Sequence, residues 1–259
     1  MSERPLAGCR VLVTRPVSQA GPLCQAIREA GGEPVPFPVI RIVPAPADEV
    51  AAAVDAIPRP DIVVFVSRNA VEFGLDPLRD AGARLAAVGP ATAAAVEAAG
   101  GRVDIRPAAG FDSEHLLAEP ALANVAGLNI LIVRGQSGRE LLADTLRARG
   151  AAVHYLSAYR REQNVLADEE VDAVARDLAR GKIDFVVALS VETFRNLLVL
   201  LPPPAEDLLR KSTLVAAGER VIQGACKLVP GIDACMAPGP EAGDIVGALI
   251  ERLHAGQKR

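Results

Sequence analysis

The chain has 259 residues, half of them hydrophobic and 3% aromatic, and its formal net charge is −4. This length suits one large domain or two ordinary ones. The acidic balance and the shortage of aromatic side chains argue against binding to nucleic acid or to an anionic membrane surface.

The first third of the chain alternates predicted strands and helices. A strand at 11–14 precedes a helix within 18–31, and the proline-punctuated segment 33–43 predicts an extended connector. Further strands are predicted at 61–67 and 85–88, each followed by a helix. Strands that alternate with helices indicate parallel sheets.

The same pattern resumes later with a strand at 130–133, a helix within 138–149 and a second connector at 153–161. In that connector, strict alternation places Tyr155, Ser157 and Tyr159 on one side. Further short strands are predicted at 185–189, 214–217, 226–228 and 234–237, before a closing amphipathic helix.

Three segments of the chain occur twice in the same order. Residues 8–15 resemble 127–134, 61–67 resemble 184–190, and 85–89 resemble 214–218. The repeat indicates two similar α/β domains that face each other across a ligand-binding cleft. They could be sequential halves that divide near residue 125, or one domain inserted into the other, and periodicity does not choose between these arrangements.

The cysteines and histidines do not predict a metal centre or a disulfide framework. Cys9, Cys24, Cys226 and Cys235 form no CxxC pair and lie in apolar stretches, which favours free buried thiols in a reducing compartment. The three histidines are scattered over different elements. With neither a signal peptide nor a membrane span in the sequence, we expect a cytoplasmic protein.

Candidate binding residues lie where predicted strands lead into helices. Ligands of open parallel sheets bind at the carboxyl ends of the strands, and helix N-termini favour anions. Ser67 and Ser190 could equally be no more than helix caps. The loop 135–139 lacks the Lys-Ser/Thr of a P-loop, and no strand precedes a GxGxxG, so the evidence for a nucleotide site is weak.

At several of these loops the sequence resembles the uroporphyrinogen-III synthase family. The resemblance covers nearly the whole chain, and the order of its motifs matters more than any one of them. The motifs are Val11-Leu12-Val13-Thr14-Arg15-Pro16, Phe65-Val66-Ser67-Arg68-Asn69-Ala70-Val71, Ala87-Val88-Gly89-Pro90-Ala91-Thr92-Ala93, Val133-Arg134-Gly135 with Gly138-Arg139-Glu140, and Ala158-Tyr159.

The resemblance implies two Rossmann- or flavodoxin-like α/β domains with parallel sheets, joined by a two-stranded connector, the second inserted in the first. The boundaries would be 1–38 with 163–259 for the discontinuous domain and 43–157 for the inserted domain. The connectors would be about 39–42 and 158–162.

The implied reaction is cyclisation of hydroxymethylbilane, with loss of water and inversion of the last pyrrole ring, to uroporphyrinogen III. It implies no metal or organic cofactor, a polycarboxylate tetrapyrrole as substrate and a monomeric enzyme. Tyr159 would be catalytic. The expected substrate contacts are Thr14, Arg15, Ser67, Arg68, Asn69, Gly89, Thr92, Arg134, Gly135, Arg139 and Ser190.

The repeat is unequal in its glycine loop. The first copy has Pro90 and Thr92, whereas the second has Glu219 and Val221. We therefore expect the ligand to rely mainly on the inserted domain. The alternative function is a non-catalytic protein on the same scaffold that binds a small anion.

Overall fold

A computed structural model describes residues 4–110, 112–138 and 140–257. The chain divides into two compact units. Unit 1 comprises Met1–Arg41 and Glu162–Arg259, and unit 2 comprises Ile42–Arg161.

The helices and strands alternate along the described chain. The strands are β1 Arg10–Val13, β2 Glu33–Pro36, β3 Ile40–Pro44, β4 Ile62–Phe65, β5 Arg84–Ala87, β6 Asn129–Gly135, β7 Ala152–Gln163, β8 Phe185–Val187, β9 Thr213–Ala216 and β10 Ala234–Met236. The α-helices are α1 Val17–Glu29, α2 Ala47–Asp55, α3 Arg68–Gly74, α4 Pro90–Ala98, α5 Ser113–Leu117, α6 Leu141–Ala148, α7 Asp168–Ala179, α8 Val191–Leu200, α9 Ala205–Leu209, α10 Glu219–Leu228 and α11 Ala242–Gln257. Short 3₁₀ helices occupy Asp76–Ala81 and Pro120–Leu122.

Unit 1 is built on a parallel sheet in the order β10-β9-β8-β1-β2. Its three central strands, β9, β8 and β1, are short and largely aliphatic runs buried on both faces, as expected for a parallel sheet covered by helices. Helices α1 and α11 pack together over one face, where Leu23, Ile27, Ile245 and Leu249 are fully buried.

Unit 2 contains a sheet in the order β3-β7-β6-β4-β5, in which β7, β6, β4 and β5 are parallel. Alternate residues of the strands enter two separate cores. Ile62 and Ile130 pack on the face that α5 and α6 cover, whereas Val63 and Leu131 pack on the face of α3 and α4. The unit is therefore a three-layer arrangement of helix, sheet and helix.

The repeated segments occupy equivalent places in the two sheets. Strands β9-β8-β1-β2 of unit 1 correspond to β5-β4-β6-β7 of unit 2. Even β10 has a counterpart, because Ile105 forms an isolated parallel bridge with Ala86 at the β5 edge.

The prediction of a strand at 226–228 was wrong, because these residues end helix α10. Val221 and Ala225 are buried at helical spacing, whereas Cys226 is exposed. A segment of three residues, here Cys226-Lys227-Leu228, is too short to distinguish a strand from one side of a helix. The expectation of a buried thiol therefore also fails at Cys226, although Cys9 and Cys24 are buried.

Among the described residues, no helix is both long enough and apolar enough to span a bilayer.

Candidate functional site

The candidate site of unit 2 lies at the carboxyl edge of its parallel strands. Ser67 follows β4, Gly89 follows β5, and Gly135 ends β6. Because β5, β4 and β6 are neighbours and parallel, these three positions lie along one edge. Such an edge is where open α/β sheets bind ligands.

Tyr159 meets Ser67 at this edge. The two hydroxyl oxygens are 3.1 Å apart, and either can donate the hydrogen bond. The Ser67 oxygen also accepts from the Ala70 N–H at 3.2 Å, so Ser67 is the N-cap of α3. The cap holds the serine hydroxyl in place, and Tyr159 itself is only 5% exposed.

A bulge in β7 places Tyr159 on the Ser67 side of the sheet. Arg134 of β6 pairs with Ser157, but the next residue, Gly135, pairs with Tyr159, so Ala158 is an extra residue. Ala158 and Tyr159 therefore both pack in the core under α3 and α4, whereas Tyr155 packs in the opposite core. The predicted alternation, with Tyr155 and Tyr159 on one side, was wrong for this reason.

Two glycines let the backbone approach the tyrosine closely. A Cβ at Gly135 would lie 2.9 Å from Cε2 of Tyr159. A Cβ at Gly74 would lie 2.5 Å from Cγ1 of Val133 and 3.1 Å from the Cβ of Ala158, so α3 lies directly on β6 and β7. Real Cβ atoms do not tolerate contacts under 3.0 Å, so both close approaches require glycine.

Sequence reasoning missed two other contacts of Tyr159. The Gln136 N–H donates to its backbone oxygen at 3.1 Å. The ring of Phe73 lies 6.3 Å from the tyrosine ring, centroid to centroid, at 48°. Phe73 could have been found from its place on the α3 helix, but the Gln136 bond depends on the bulge.

The helix starts beside Ser67 carry further polar groups. The side chains of Asn69 and Thr92 are buried, and neither makes a hydrogen bond to another residue in the described part of the chain. Gly89 begins α4 without a side-chain cap. Arg68, the first residue of α3, is exposed. These groups offer donors to an anion at a helix start.

Arg134 is engaged on the other face of the sheet. It is 8% exposed, its Nη1 lies 2.9 Å from Oε1 of Glu140, and its guanidinium carbon lies 4.7 Å from the centre of the Tyr155 ring. The Tyr155 hydroxyl donates to the other carboxylate oxygen of Glu140. The predicted substrate contact Arg139 lies outside the described residues.

These contacts shift two protonation equilibria. The hydrogen bonds from Tyr155 and Arg134 lower the pKa of the Glu140 carboxyl. Burial raises the pKa of the Tyr155 hydroxyl, and its hydrogen bond to Glu140 raises it further. At neutral pH the phenol is therefore the donor and the carboxylate the acceptor.

The predicted contacts of unit 1 lie at the carboxyl edge of its own sheet. Thr14 is 1% exposed and its hydroxyl donates to the backbone oxygen of Val187 at 2.5 Å. Ser190 is the N-cap of α8, accepting from the Thr193 N–H at 3.0 Å. Arg15 donates to the backbone oxygen of Pro240. Each hydroxyl thus has a structural partner in addition to any ligand.

The described residues contain no group of three or more His, Cys, Asp or Glu side chains that could hold a metal ion.

Comparison with known proteins identifies the fold and the family. A family model described as "Uroporphyrinogen-III synthase HemD" matches residues 22–246. The uroporphyrinogen-III synthase of Escherichia coli is 31% identical over 226 residues, which cover 84% of this chain and 91% of that protein.

Two solved structures share the fold. A mutant uroporphyrinogen III synthase from Thermus thermophilus has a TM-score of 0.58 at 20% identity, covering 97% of this chain and 100% of its own. The uroporphyrinogen-III synthetase of Helicobacter pylori has a TM-score of 0.62 at 12% identity, covering 94% and 99% respectively.

Proposed function

The chain belongs to the uroporphyrinogen-III synthase family, and we propose that the Tyr159–Ser67 pair is where it acts on its substrate. The reaction is cyclisation of hydroxymethylbilane, with loss of water and inversion of the last pyrrole ring, to uroporphyrinogen III in haem biosynthesis. The enzyme is thus a cyclising lyase. The observation that carries the assignment of the site is the 3.1 Å contact between the two hydroxyls at the sheet edge.

Tyr159 assists departure of the substrate hydroxyl as water. When the Ser67 hydroxyl donates the hydrogen bond to the phenol oxygen, the phenol O–H is free to donate a hydrogen bond to the leaving oxygen of the substrate. The Ser67 oxygen can still accept the hydrogen bond from the Ala70 N–H, so this arrangement leaves the helix cap intact. As the leaving oxygen draws on the tyrosine proton, the serine hydrogen bond stabilises the growing charge on the phenol oxygen.

Loss of the hydroxyl leaves an electrophilic azafulvene. The substituted carbon of the last ring attacks its methylene carbon, and the resulting spiro intermediate collapses. The pyrroles supply the electrons for these steps. The protein has to hold the ends of the linear tetrapyrrole in the geometry that leads to inversion. Rigid placement of Tyr159 by Gly135 and the Gln136 hydrogen bond suits that task.

The helix starts of unit 2 bind carboxylates of the substrate. Asn69 and Thr92 contribute their side chains, Gly89 contributes the uncapped start of α4, and Arg68 contributes an exposed guanidinium. This local set of donors lets an acidic chain bind an anionic substrate. We retain Thr14, Arg15 and Ser190 of unit 1 and the loop residues Gly135 and Arg139 as further proposed contacts.

We also propose that β3 and β7 form the two-stranded connector. The chain passes from one unit to the other within these two strands, which are neighbours in one sheet. Ala45 donates to Ala158, and Asn164 donates to Val39, an order that fits antiparallel strands. We also expect an active monomer, and the four free cysteines fit the reducing cytoplasm.

The direct test is Tyr159→Phe. This change keeps the ring packed against Gly135 and Phe73 and removes only the hydroxyl. We expect kcat to fall about 100-fold, the lower end of the effect of a general acid, with an unchanged Tm. The assay measures the type III isomer formed from hydroxymethylbilane. Unchanged kinetics would remove Tyr159 from the mechanism.

Ser67→Ala should lower kcat less, about 10-fold, because it removes the partner of Tyr159 and not the donor itself. The matched control is Ser212→Ala, since the Ser212 hydroxyl is a buried group that also makes a hydrogen bond, donating to the backbone oxygen of Ile183 at 2.6 Å. The control should lose stability and keep its kcat.

Tight binding of hydroxymethylbilane by wild-type protein without any type III product would favour the non-catalytic alternative.

A further inference from the structure

We infer that Arg134, Glu140 and Tyr155 form a positioning triad that holds the loop after β6 against Tyr159, so that the hydroxyl of Tyr159 stays at Ser67. This inference rests on the proposed role of Tyr159. The triad lies on the opposite face of the sheet from Tyr159 and acts through the backbone of the loop.

The triad is closed by three mutual contacts. Glu140 receives Arg134 on one carboxylate oxygen and Tyr155 on the other. Arg134 in turn stacks on the Tyr155 ring at 4.7 Å, and Arg147 approaches the same ring at 5.5 Å. Glu140 is the N-cap residue of α6, so the two hydrogen bonds to its carboxylate fix the start of that helix.

The loop connects the triad to Tyr159 through its glycines. A Cβ at Gly138 would lie 3.1 Å from Nη2 and 3.2 Å from Cζ of Arg134, so the loop backbone packs on the guanidinium. At the other end of the loop, Gly135 packs on the Tyr159 ring and Gln136 donates to the Tyr159 backbone oxygen. A displacement of the guanidinium is thereby passed to the backbone that touches the tyrosine.

The geometry assigns Arg134 to positioning. Its side chain is 8% exposed, and its guanidinium is shared between a carboxylate and an aromatic face. Its ion pair, the stacked ring and its buried position leave little of this guanidinium accessible to a substrate carboxylate.

Glu140→Gln and Tyr155→Phe test the triad. Glu140→Gln keeps the shape of the side chain but removes its negative charge, and Tyr155→Phe removes the hydroxyl that donates to Glu140. We expect each to lower kcat about 10-fold with KM within about 2-fold, because a misplacement well under 1 Å costs less than the 100-fold that 1 Å can cost. Asp76→Asn is the matched control, since Asp76 pairs with Arg79 at 2.8 Å in the same unit, away from this loop.

A double-mutant cycle tests whether the triad acts through Tyr159. In the Tyr159→Phe background, Glu140→Gln should lower kcat less than 2-fold further. A full 10-fold loss in both backgrounds, or no loss in either, would overturn the inference. A variant of Glu140 that fails to fold is replaced in the cycle by Tyr155→Phe.

A second readout is independent of activity. The chain has two tyrosines and no tryptophan, so a ¹³C-tyrosine-labelled sample gives two sets of ring signals, which Tyr155→Phe assigns. Glu140→Gln should shift or broaden the Tyr159 signals although Glu140 does not touch that ring, and Asp76→Asn should not. If Tyr159→Phe keeps full kcat, the proposed catalytic role fails, and this spectrum still decides the positioning role. A Tyr159 signal unmoved by Glu140→Gln overturns it.

Discussion

Replacing Gly74 with alanine should separate helix α3 from the sheet and carry Ser67 away from Tyr159. Gly74 is the last residue of α3 and is buried against β6. Its added Cβ would meet Cγ1 of Val133 at 2.5 Å and the Cβ of Ala158 at 3.1 Å. Val133 is fully buried and β-branched, so its methyl group cannot simply swing aside.

The expected loss in the free energy of unfolding follows from these distances. Carbon atoms in ordinary contact are about 3.5–4.0 Å apart, so helix and strand must separate by about 1 Å. Overpacking of this kind costs about 1–3 kcal/mol, and the better helix propensity of alanine returns at most about 1 kcal/mol. Gly21 in α1 has nothing within 4 Å of its ideal Cβ, so Gly21→Ala gains the propensity without the clash.

Urea unfolding and steady-state kinetics measure the two effects. Both tyrosines lie in unit 2, so tyrosine fluorescence follows the unfolding of the unit that holds Gly74. Gly74→Ala should lose about 1–2 kcal/mol and about 10-fold in kcat, and Gly21→Ala should lose neither. In a Val133→Ala background, the cost of Gly74→Ala should shrink. Stabilisation of the protein by Gly74→Ala would refute the reasoning.

Two predictions concern single hydroxyl groups. Thr14→Val leaves the backbone oxygen of Val187 without its 2.5 Å donor and should cost about 1–3 kcal/mol in urea unfolding, which Thr14→Ser should restore; a loss below about 0.5 kcal/mol would contradict the structural role of this bond. In Tyr159→Phe, tyrosinate absorbance reports Tyr155 alone, and its midpoint should lie above the ordinary value of about 10 and fall partway back in Glu140→Gln, where burial remains. Because the pKa of the Tyr155 hydroxyl is raised in the folded state, the stability that this hydroxyl contributes is complete below its unfolded-state pKa. That stability is lost as the pH rises through the folded-state pKa. An ordinary titration midpoint that Glu140→Gln leaves unmoved would exclude the hydrogen bond.

Local signals were sufficient to predict most elements of this fold. The aliphatic runs 11–14, 61–67 and 130–133 lead into helices, and the strands they form do carry Ser67 and Gly135 at their ends. Local patterning failed at 226–228, where the side of an amphipathic helix resembles a short strand. The predicted domain boundaries and the residue roles stay predictions.

Two largely parallel sheets covered by helices follow from the residue order, since buried strand runs, helix starts and the internal repeat can all be read along the chain. The face that each tyrosine occupies depends instead on how the strands pair. One extra residue in β7 reverses the side of every residue after it, and nothing in the local pattern of alternation marks Ala158 as that residue. The bulge is set by pairing with β6, and for that reason the contacts of Tyr159 with Ser67 and of Tyr155 with Glu140, on opposite faces of the sheet, emerge only when the strands are assembled.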